Sequence, residues 1–137
     1  MKLSVYPEPM TDEELSTRAD AWIRYHLAPK KSPEREANFW AVDLYELEHH
    51  DPETLWLLVL AILHKDSSMG TKAALSAGPV ENLLGRFGPQ FIDRVEVTAR
   101  RDPTFAHMLG GVWPGSMTKD IWNRLQAVCR REGWDAE

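Results

Sequence analysis

The feature that most constrains this chain is the recurrence of helix-boundary residues, with apolar residues three and four apart between them. Thr11 and Glu14 match a capping box, in which a threonine covers a free backbone N–H and a glutamate bonds back to the cap. Apolar side chains at helical spacing follow this box, namely Leu15, Ala19, Trp22, Ile23 and Leu27. The pattern predicts an amphipathic helix that ends at Pro29.

A capping residue followed by proline marks three further helix starts, at Ser32-Pro33, Asp51-Pro52 and Asp102-Pro103. The first of these predicts a helix that ends near His49 and His50, and its apolar face comprises Phe39, Trp40, Val42, Leu44 and Leu47. The second starts a helix that is apolar almost all round, which predicts a place at the centre of the packing.

Glycines punctuate the second half of the chain. Gly78-Pro79 and Gly88-Pro89 each predict the end of one helix and the start of the next, and Gly110-Gly111 predicts a helix stop. Thr118 can cap a final helix, whose apolar side chains are Ile121, Trp122, Leu125 and Val128. Because no segment alternates with period two, the predicted fold is all-α. It is an irregular multi-helix bundle with hairpins like those of HEAT and armadillo repeats.

The length of 137 residues suits a single helical domain over residues 1–137. We expect residues 1–10 to form an N-terminal extension and residues 130–137 to form a frayed C-terminal tail. Six tryptophans are many for this length, and most should be buried or half-buried. A surplus tryptophan at the surface would indicate an interface.

Cys129 is the one cysteine, so an intramolecular disulfide and a cysteine-rich zinc site are both excluded. We expect it to be a small buried apolar residue. Residues 1–10 do not resemble a signal peptide, and the longest apolar run, residues 55–63, is too short to span a bilayer. These features predict a cytoplasmic protein with no membrane association.

Charge is unevenly distributed along the chain, whose net charge is −5. Residues 1–68 carry thirteen acidic and seven basic side chains, whereas residues 69–137 carry eight acidic and nine basic ones. A net negative surface repels nucleic-acid phosphates and attracts basic proteins. The sequence therefore predicts a surface for a basic protein partner, for which the candidates are Asp43, Glu46, Glu48, Asp51 and Glu53.

Four segments of the second half form a recognisable combination: GPVENLL, FIDRVEVTARRDPTF, LGGVW and IWNRLQAV. Together they resemble the signature of a family of small uncharacterised bacterial helical proteins, over about residues 73–128. The resemblance implies a helical fold and a bacterial or phage source, and it implies no activity. The polar and aromatic motif residues, to which it assigns no role, are Glu81, Asp93, Arg94, Glu96, Arg100, Arg101, Asp102 and Trp113.

Most of these motif residues have a structural interpretation. Glu96 and Arg100 have the spacing and order of a helical ion pair, and Arg100 and Arg101 lie near the negative end of a helix dipole. Asp102 is a cap. The alternative is a recognition patch on the charged face, formed by Glu81, Asp93, Arg94, Glu96, Arg100 and Arg101.

No known catalytic motif is present, so we assign no catalytic residue, cofactor or metal ligand. Our leading hypothesis is a non-enzymatic immunity or inhibitor protein that neutralises a basic toxin or nucleic-acid-binding protein. One alternative is a metal-binding protein or enzyme that uses Glu46, His49 and His50, although di-iron bundles need a second Glu-x-x-His step. Another is a nucleic-acid accessory domain, which would use Arg94, Arg100, Arg101, Arg130 and Arg131.

Overall fold

The structure is a computed structural model that describes residues 10–134, and within that range it contains helices and no strand. The α-helices are α1 (Asp12–Leu27), α2 (Pro33–Ala37), α3 (Tyr45–His50), α4 (Pro52–Lys65), α5 (Met69–Leu75), α6 (Glu81–Arg101), α7 (Pro103–Leu109) and α8 (Lys119–Val128). The predicted all-α fold is confirmed. None of these helices combines the length and the apolar composition needed to cross a membrane. Apart from Met10, the predicted N-terminal extension lies outside the described residues.

The helix starts predicted from capping residues are confirmed, whereas those predicted at Pro79 and Pro89 are not. The capping box at α1 is complete, since the Glu14 backbone N–H donates to Thr11 Oγ1 at 3.1 Å and the Thr11 N–H donates to Glu14 Oε1 at 2.9 Å. The N-terminal caps of α2, α4, α7 and α8 also accept backbone N–H bonds, and they are Ser32, Asp51, Asp102 and Thr118. Each of these interactions joins residues two or three apart, which is why the sequence pattern predicts them.

The predicted helix from Ser32 to His50 is wrong, because two helices and a 3₁₀ turn (Phe39–Ala41) occupy this stretch. In this stretch, side chains form hydrogen bonds with backbone groups that would otherwise bond within a continuous helix. Arg18 of α1 donates to the Ala41 carbonyl at 3.3 Å and to the Asp43 carbonyl at 2.7 Å. Asp43 Oδ1 then accepts the N–H at the start of α3. Of the predicted apolar face, Leu44 is buried and Val42 and Leu47 are half-buried, whereas the two aromatic residues are exposed.

The predicted helix ends at the two Gly-Pro steps are also wrong. Gly78-Pro79 lies in a π-helical turn (Ser76–Val80) that leads directly into α6. Gly88-Pro89 lies inside α6, which bends at Phe87, where φ is −126° and ψ is 28°. A proline inside a helix lacks one N–H and clashes with the carbonyl four residues earlier. A wider turn in one case and a kink in the other accommodate that clash without ending the helix.

Helix α4 lies at the centre of the packing, as predicted. Its side chains Leu55, Leu58 and Ile62 are fully buried. Trp56 of α4 contacts Phe91 of α6 and Phe105 of α7, with ring centroids 6.0 and 5.7 Å apart. Edge-on and tilted aromatic contacts of this kind add to the stabilisation from apolar burial. The aromatic contacts therefore join α4, α6 and α7 into one core.

Helices α6 and α8 approach each other closely. A Cβ added at Gly88 would lie 3.0 Å from Ile121 Cγ1, and one added at Gly85 would collide with the Ser116 side chain. Gly88 of α6 lies against Ile121 of α8, and Glu96, which is later in α6, binds Arg124, which is later in α8. The two helices therefore run in the same direction, and the chain between them passes through α7. A parallel pair is not a hairpin, and the HEAT- or armadillo-like arrangement stays a prediction for the other helices.

The C-terminal residues 130–134 are hydrogen-bonded to α7, in contrast to the frayed tail that we expected. The Arg130 N–H donates to the Ala106 carbonyl at 2.9 Å, and the Trp134 indole N–H donates to the His107 carbonyl at 2.6 Å. Residues 135–137 of the predicted tail lie outside the described residues. Gly110 ends α7 as predicted, but its φ is −60°. Its missing side chain is needed for the approach of the tail and not for a left-handed backbone.

The substitution Gly110→Ala should therefore destabilise the protein. The added Cβ would collide with the Arg130 carbonyl oxygen and lie 2.7 Å from the Trp134 ring. Because one obstacle is backbone, we expect a loss of about 1–3 kcal/mol in the free energy of unfolding, measured by urea denaturation.

Gly78→Ala is the matched control, since nothing lies within 4 Å of its added Cβ. We expect this variant to gain about 0.5–1 kcal/mol, because alanine loses less backbone entropy than glycine in a helix. Equal changes in the two variants would contradict the assignment of Gly110 to tail packing.

Candidate functional site

Two of the predicted acidic docking residues are engaged within the fold. Asp51 caps α4, where it accepts bonds from the Thr54 N–H at 3.2 Å and the Thr54 hydroxyl at 2.6 Å. Glu53 accepts two bonds from the Arg94 guanidinium, at 2.7 and 2.6 Å. The Arg94 hydrogen bonds also lower the pKa of the Glu53 carboxyl. These two carboxylates tie α4 to its own cap and to α6.

The other three predicted acidic residues lie on and before α3, and they are less engaged. Glu48 accepts a bond from Asn82 Nδ2 of α6 at 2.8 Å, and Asp43 caps Tyr45 at 3.3 Å. Glu46 is exposed and makes no hydrogen bond or ion pair within residues 10–134. Negative charge is thus available to a partner mainly at Asp43 and Glu46.

Exposed aromatic side chains accompany these carboxylates. Phe39, Trp40 and Tyr45 are 58%, 53% and 58% exposed. Tyr45 stacks on the His49 ring at 4.0 Å, so its ring is held in place although it faces solvent. The sequence pattern predicted that Phe39 and Trp40 lie on the apolar face of a helix, because it indicated one continuous helix there. The signal that could have corrected it is Asp43, a residue type that competes for backbone N–H groups.

Trp40 extends this region towards the start of α1. It borders a groove of about 320 Å³ with Glu13 and Glu14 of the first helical turn. Both glutamates are exposed, and Glu14 is engaged in the capping box. We use the name aromatic–acidic surface for the combined set, which comprises Glu13, Phe39, Trp40, Asp43, Tyr45, Glu46 and Glu48.

Three of the six charged motif residues, Asp93, Arg94 and Glu96, bind side chains of other helices. Arg124 of α8 donates to Glu96 at 2.9 and 2.6 Å and to Asp93 at 2.6 Å. The hydrogen bonds of Glu96 therefore go to Arg124, and not to Arg100 as the helical spacing predicts. These bonds lower the pKa of Glu96 and raise that of Arg124 above its ordinary value. Arg124 was missed as a partner, because its contacts span about thirty residues of sequence.

The remaining motif residues have separate positions. Glu81 is half-buried at the start of α6, where its side chain packs against Gly115. Arg100 and Arg101 are exposed at the C-terminal end of α6. The predicted recognition patch is thus divided: Asp93, Arg94 and Glu96 join helices, whereas Arg100 and Arg101 face solvent.

The histidines proposed for a metal or catalytic role have defined surroundings. His49 Nδ1 lies 2.9 Å from the Tyr45 carbonyl oxygen, which can only accept, so Nδ1 carries the proton. Nε2 then accepts a bond from Arg86 Nη2 at 2.8 Å. The lone pair that a metal or a substrate proton would need is engaged by Arg86. Residues 10–134 contain no group of three or more His, Cys, Asp or Glu side chains arranged to hold a metal ion.

The Glu96–Arg124 contact predicts a pH dependence of stability. Because the pKa of Glu96 is lower in the folded protein than its ordinary value of 4.5, the unfolded chain binds more protons as pH falls below that value. The stabilising contribution is fully present above pH 4.5 and is lost as pH falls through the lower folded pKa. We expect Glu96→Gln to flatten the decrease of Tm in this acidic range, measured by circular dichroism.

The variant Arg124→Met provides the matched test, since it removes the guanidinium donors and leaves the Glu96 carboxylate in place. It should remove most of the acidic slope that Glu96→Gln removes, and Glu96→Gln in the Arg124→Met background should remove only the remainder that the charge of Arg100 contributes. A wild-type slope in both single variants would show that this contact does not contribute to acid sensitivity.

The comparison with known proteins covers most of the chain. A model of a family of unknown function, DUF6869, matches residues 28–133. This range contains the aromatic–acidic surface except Glu13, and it contains all of α6, α7 and α8. No curated protein and no solved structure matches the chain. The sequence resemblance to an uncharacterised family agrees with this finding. Since the match spans well over half of the residues, the chain belongs to the family of unknown function DUF6869.

Proposed function

We propose that this protein is a non-enzymatic protein-binding module that docks a basic partner protein on the aromatic–acidic surface. The observation that carries the proposal is the exposure of Phe39, Trp40 and Tyr45, each more than half accessible, on a segment that also bears free carboxylates. Aromatic side chains supply much of the binding energy at protein interfaces. Three exposed aromatic side chains within seven residues of sequence supply apolar surface for a partner.

Charge supports a basic partner. Residues 34–53 contain seven acidic side chains, at positions 34, 36, 43, 46, 48, 51 and 53, and one basic side chain, Arg35. Such a field speeds the association of a positively charged protein and disfavours an acidic one. Lysine and arginine side chains can also pair with carboxylates while they stack on aromatic faces. The two properties of the surface therefore favour the same partner chemistry.

The backbone of this segment is already held in place. Arg18 binds the carbonyls of Ala41 and Asp43, and Asn38 Nδ2 donates to the Glu34 carbonyl at 2.7 Å. A segment that is ordered before binding loses less conformational entropy when it docks. The aromatic–acidic surface is thus suited to tight binding with little rearrangement.

At a finer level, we propose a bacterial or phage immunity or inhibitor protein that acts in the cytoplasm. Its target would be a basic toxin or a nucleic-acid-binding protein. Support comes from the small size, the acidic first half and the lack of a known catalytic motif in the sequence. A protein of this kind blocks its target by shape and charge, without chemistry of its own.

Capture from a lysate of the native host, followed by affinity measurement with the identified partner, tests the proposal. We expect a basic partner whose affinity falls by about tenfold or more for Trp40→Ala, since buried aromatic anchors contribute most to binding. Glu46→Lys should mainly slow association, and its effect should shrink as salt is raised, because added ions screen charge.

The controls are Val97→Ala and Asp120→Lys, which change an exposed apolar side chain and an exposed carboxylate that belong to neither the aromatic–acidic surface nor the tryptophan-lined groove described below. Both should bind the partner like the wild type. An acidic partner, or a partner that binds Trp40→Ala and Glu46→Lys as tightly as the controls, would overturn the proposal. The immunity role is tested separately, by whether co-expression of this protein restores growth in cells that produce the partner.

A further inference from the structure

A second feature, independent of the aromatic–acidic surface, is a groove of about 500 Å³ between the π turn and the segment that joins α7 to α8. Three of the chain's six tryptophans border it, namely Trp113, Trp122 and Trp134. Small residues, among them Gly110 and Gly111, also line it, as does Arg131. A concave, mostly apolar site of this size is in the range that binds ligands.

The three indoles differ in what they already contact. Trp134 donates its N–H to the His107 carbonyl and packs over Gly110 and Gly111, so it is part of the wall. Trp113 and Trp122 make no hydrogen bond and no ring contact within residues 10–134. Trp113 is 72% exposed, and Trp122 is half-buried. Two indoles that border one groove thus have N–H groups with no hydrogen-bond partner within residues 10–134.

Trp113 is held on a fixed turn. The preceding residue, Val112, is buried and donates its N–H to the Leu109 carbonyl at 3.1 Å. After it, the Pro114 carbonyl accepts the Met117 N–H at 2.9 Å, and Gly115 adopts a φ of 47°. Because both flanks are anchored, the backbone that carries the exposed indole needs little ordering on binding.

The polar groups of the lining restrict the chemistry of the ligand. Neutral side-chain donors are the two free indole N–H groups, and the Ser76 hydroxyl is buried and already donates to the Ala73 carbonyl at 3.1 Å. Among residues 10–134, those that line the groove include Arg131 and no carboxylate, which disfavours a cationic ligand. The groove therefore suits a ligand with flat apolar surfaces and hydrogen-bond acceptors, and with few donors of its own.

We propose that this groove binds a proline-rich segment of a partner protein. Proline rings pack on aromatic faces, and proline has a carbonyl acceptor but no backbone N–H that would be left without a partner. Such segments are also preformed polyproline II helices, so they lose little entropy on binding. A proline ring packs against Trp113 and Trp122, and the indole N–H groups donate to backbone carbonyls of the segment.

Titration of the full chain with a decaproline peptide tests this proposal, by calorimetry and by NMR of the indole N–H signals. We expect saturable binding in which the Trp113 and Trp122 indole N–H signals shift and the Trp134 signal does not. Trp113→Ala should weaken binding by about tenfold, since stacking and a hydrogen bond are both lost. Trp113→Phe, which keeps an aromatic face without the N–H, should have an intermediate affinity.

Trp40→Ala is the matched control, because it removes another exposed indole and leaves the groove unchanged. It should bind decaproline like the wild type. The proposal is overturned if decaproline does not bind saturably, if Trp113→Ala binds as tightly as Trp40→Ala, or if a glycine–serine peptide of equal length binds equally well. Since Trp113 is mostly exposed, its replacement tests binding and not folding.

Discussion

The close contact between α6 and α8 is the constraint on which the rest of the structure depends. It requires the absence of side chains at Gly85 and Gly88, because Ser116 and Ile121 occupy the space that a Cβ would need. The contact also requires α6 to continue through its second Gly-Pro step, with a bend at Phe87. A bent helix can curve around the core, and α6 accordingly contacts α3, α4, α7 and α8.

Charged side chains along α6 join these helices. Near its start, Arg86 binds His49 of α3. In its middle, Arg94 binds Glu53 of α4, and further on Glu96 binds Arg124 of α8. Many of the residues that a sequence pattern assigns to a recognition patch are therefore engaged within the molecule. Four of the eight large apolar side chains that remain exposed are aromatic, and aromatic anchors surrounded by polar residues are typical of binding interfaces.

The accuracy of the sequence predictions depends on the range of the interaction involved. The capping box at Thr11 and the caps at Asp51 and Asp102 join residues two or three apart, and all were predicted. The central place of α4 was also predicted, because a helix that is apolar on nearly all sides is stable in water only when it is buried. Phe39 and Trp40 were misplaced because Arg18, more than twenty residues away, draws the backbone out of the helix.

The sequence by itself determined the helical class, most helix starts and the absence of a disulfide framework, since these depend on composition and on contacts within one turn. Tertiary structure alone decided that both Gly-Pro steps continue their helices, that Glu96 binds Arg124, and that Trp40 and Trp113 face solvent. The physical reason is that exposure and long-range pairing depend on which helix faces pack together. The packing of helix faces depends on contacts between residues tens of positions apart in the chain, and a local sequence pattern does not contain that information.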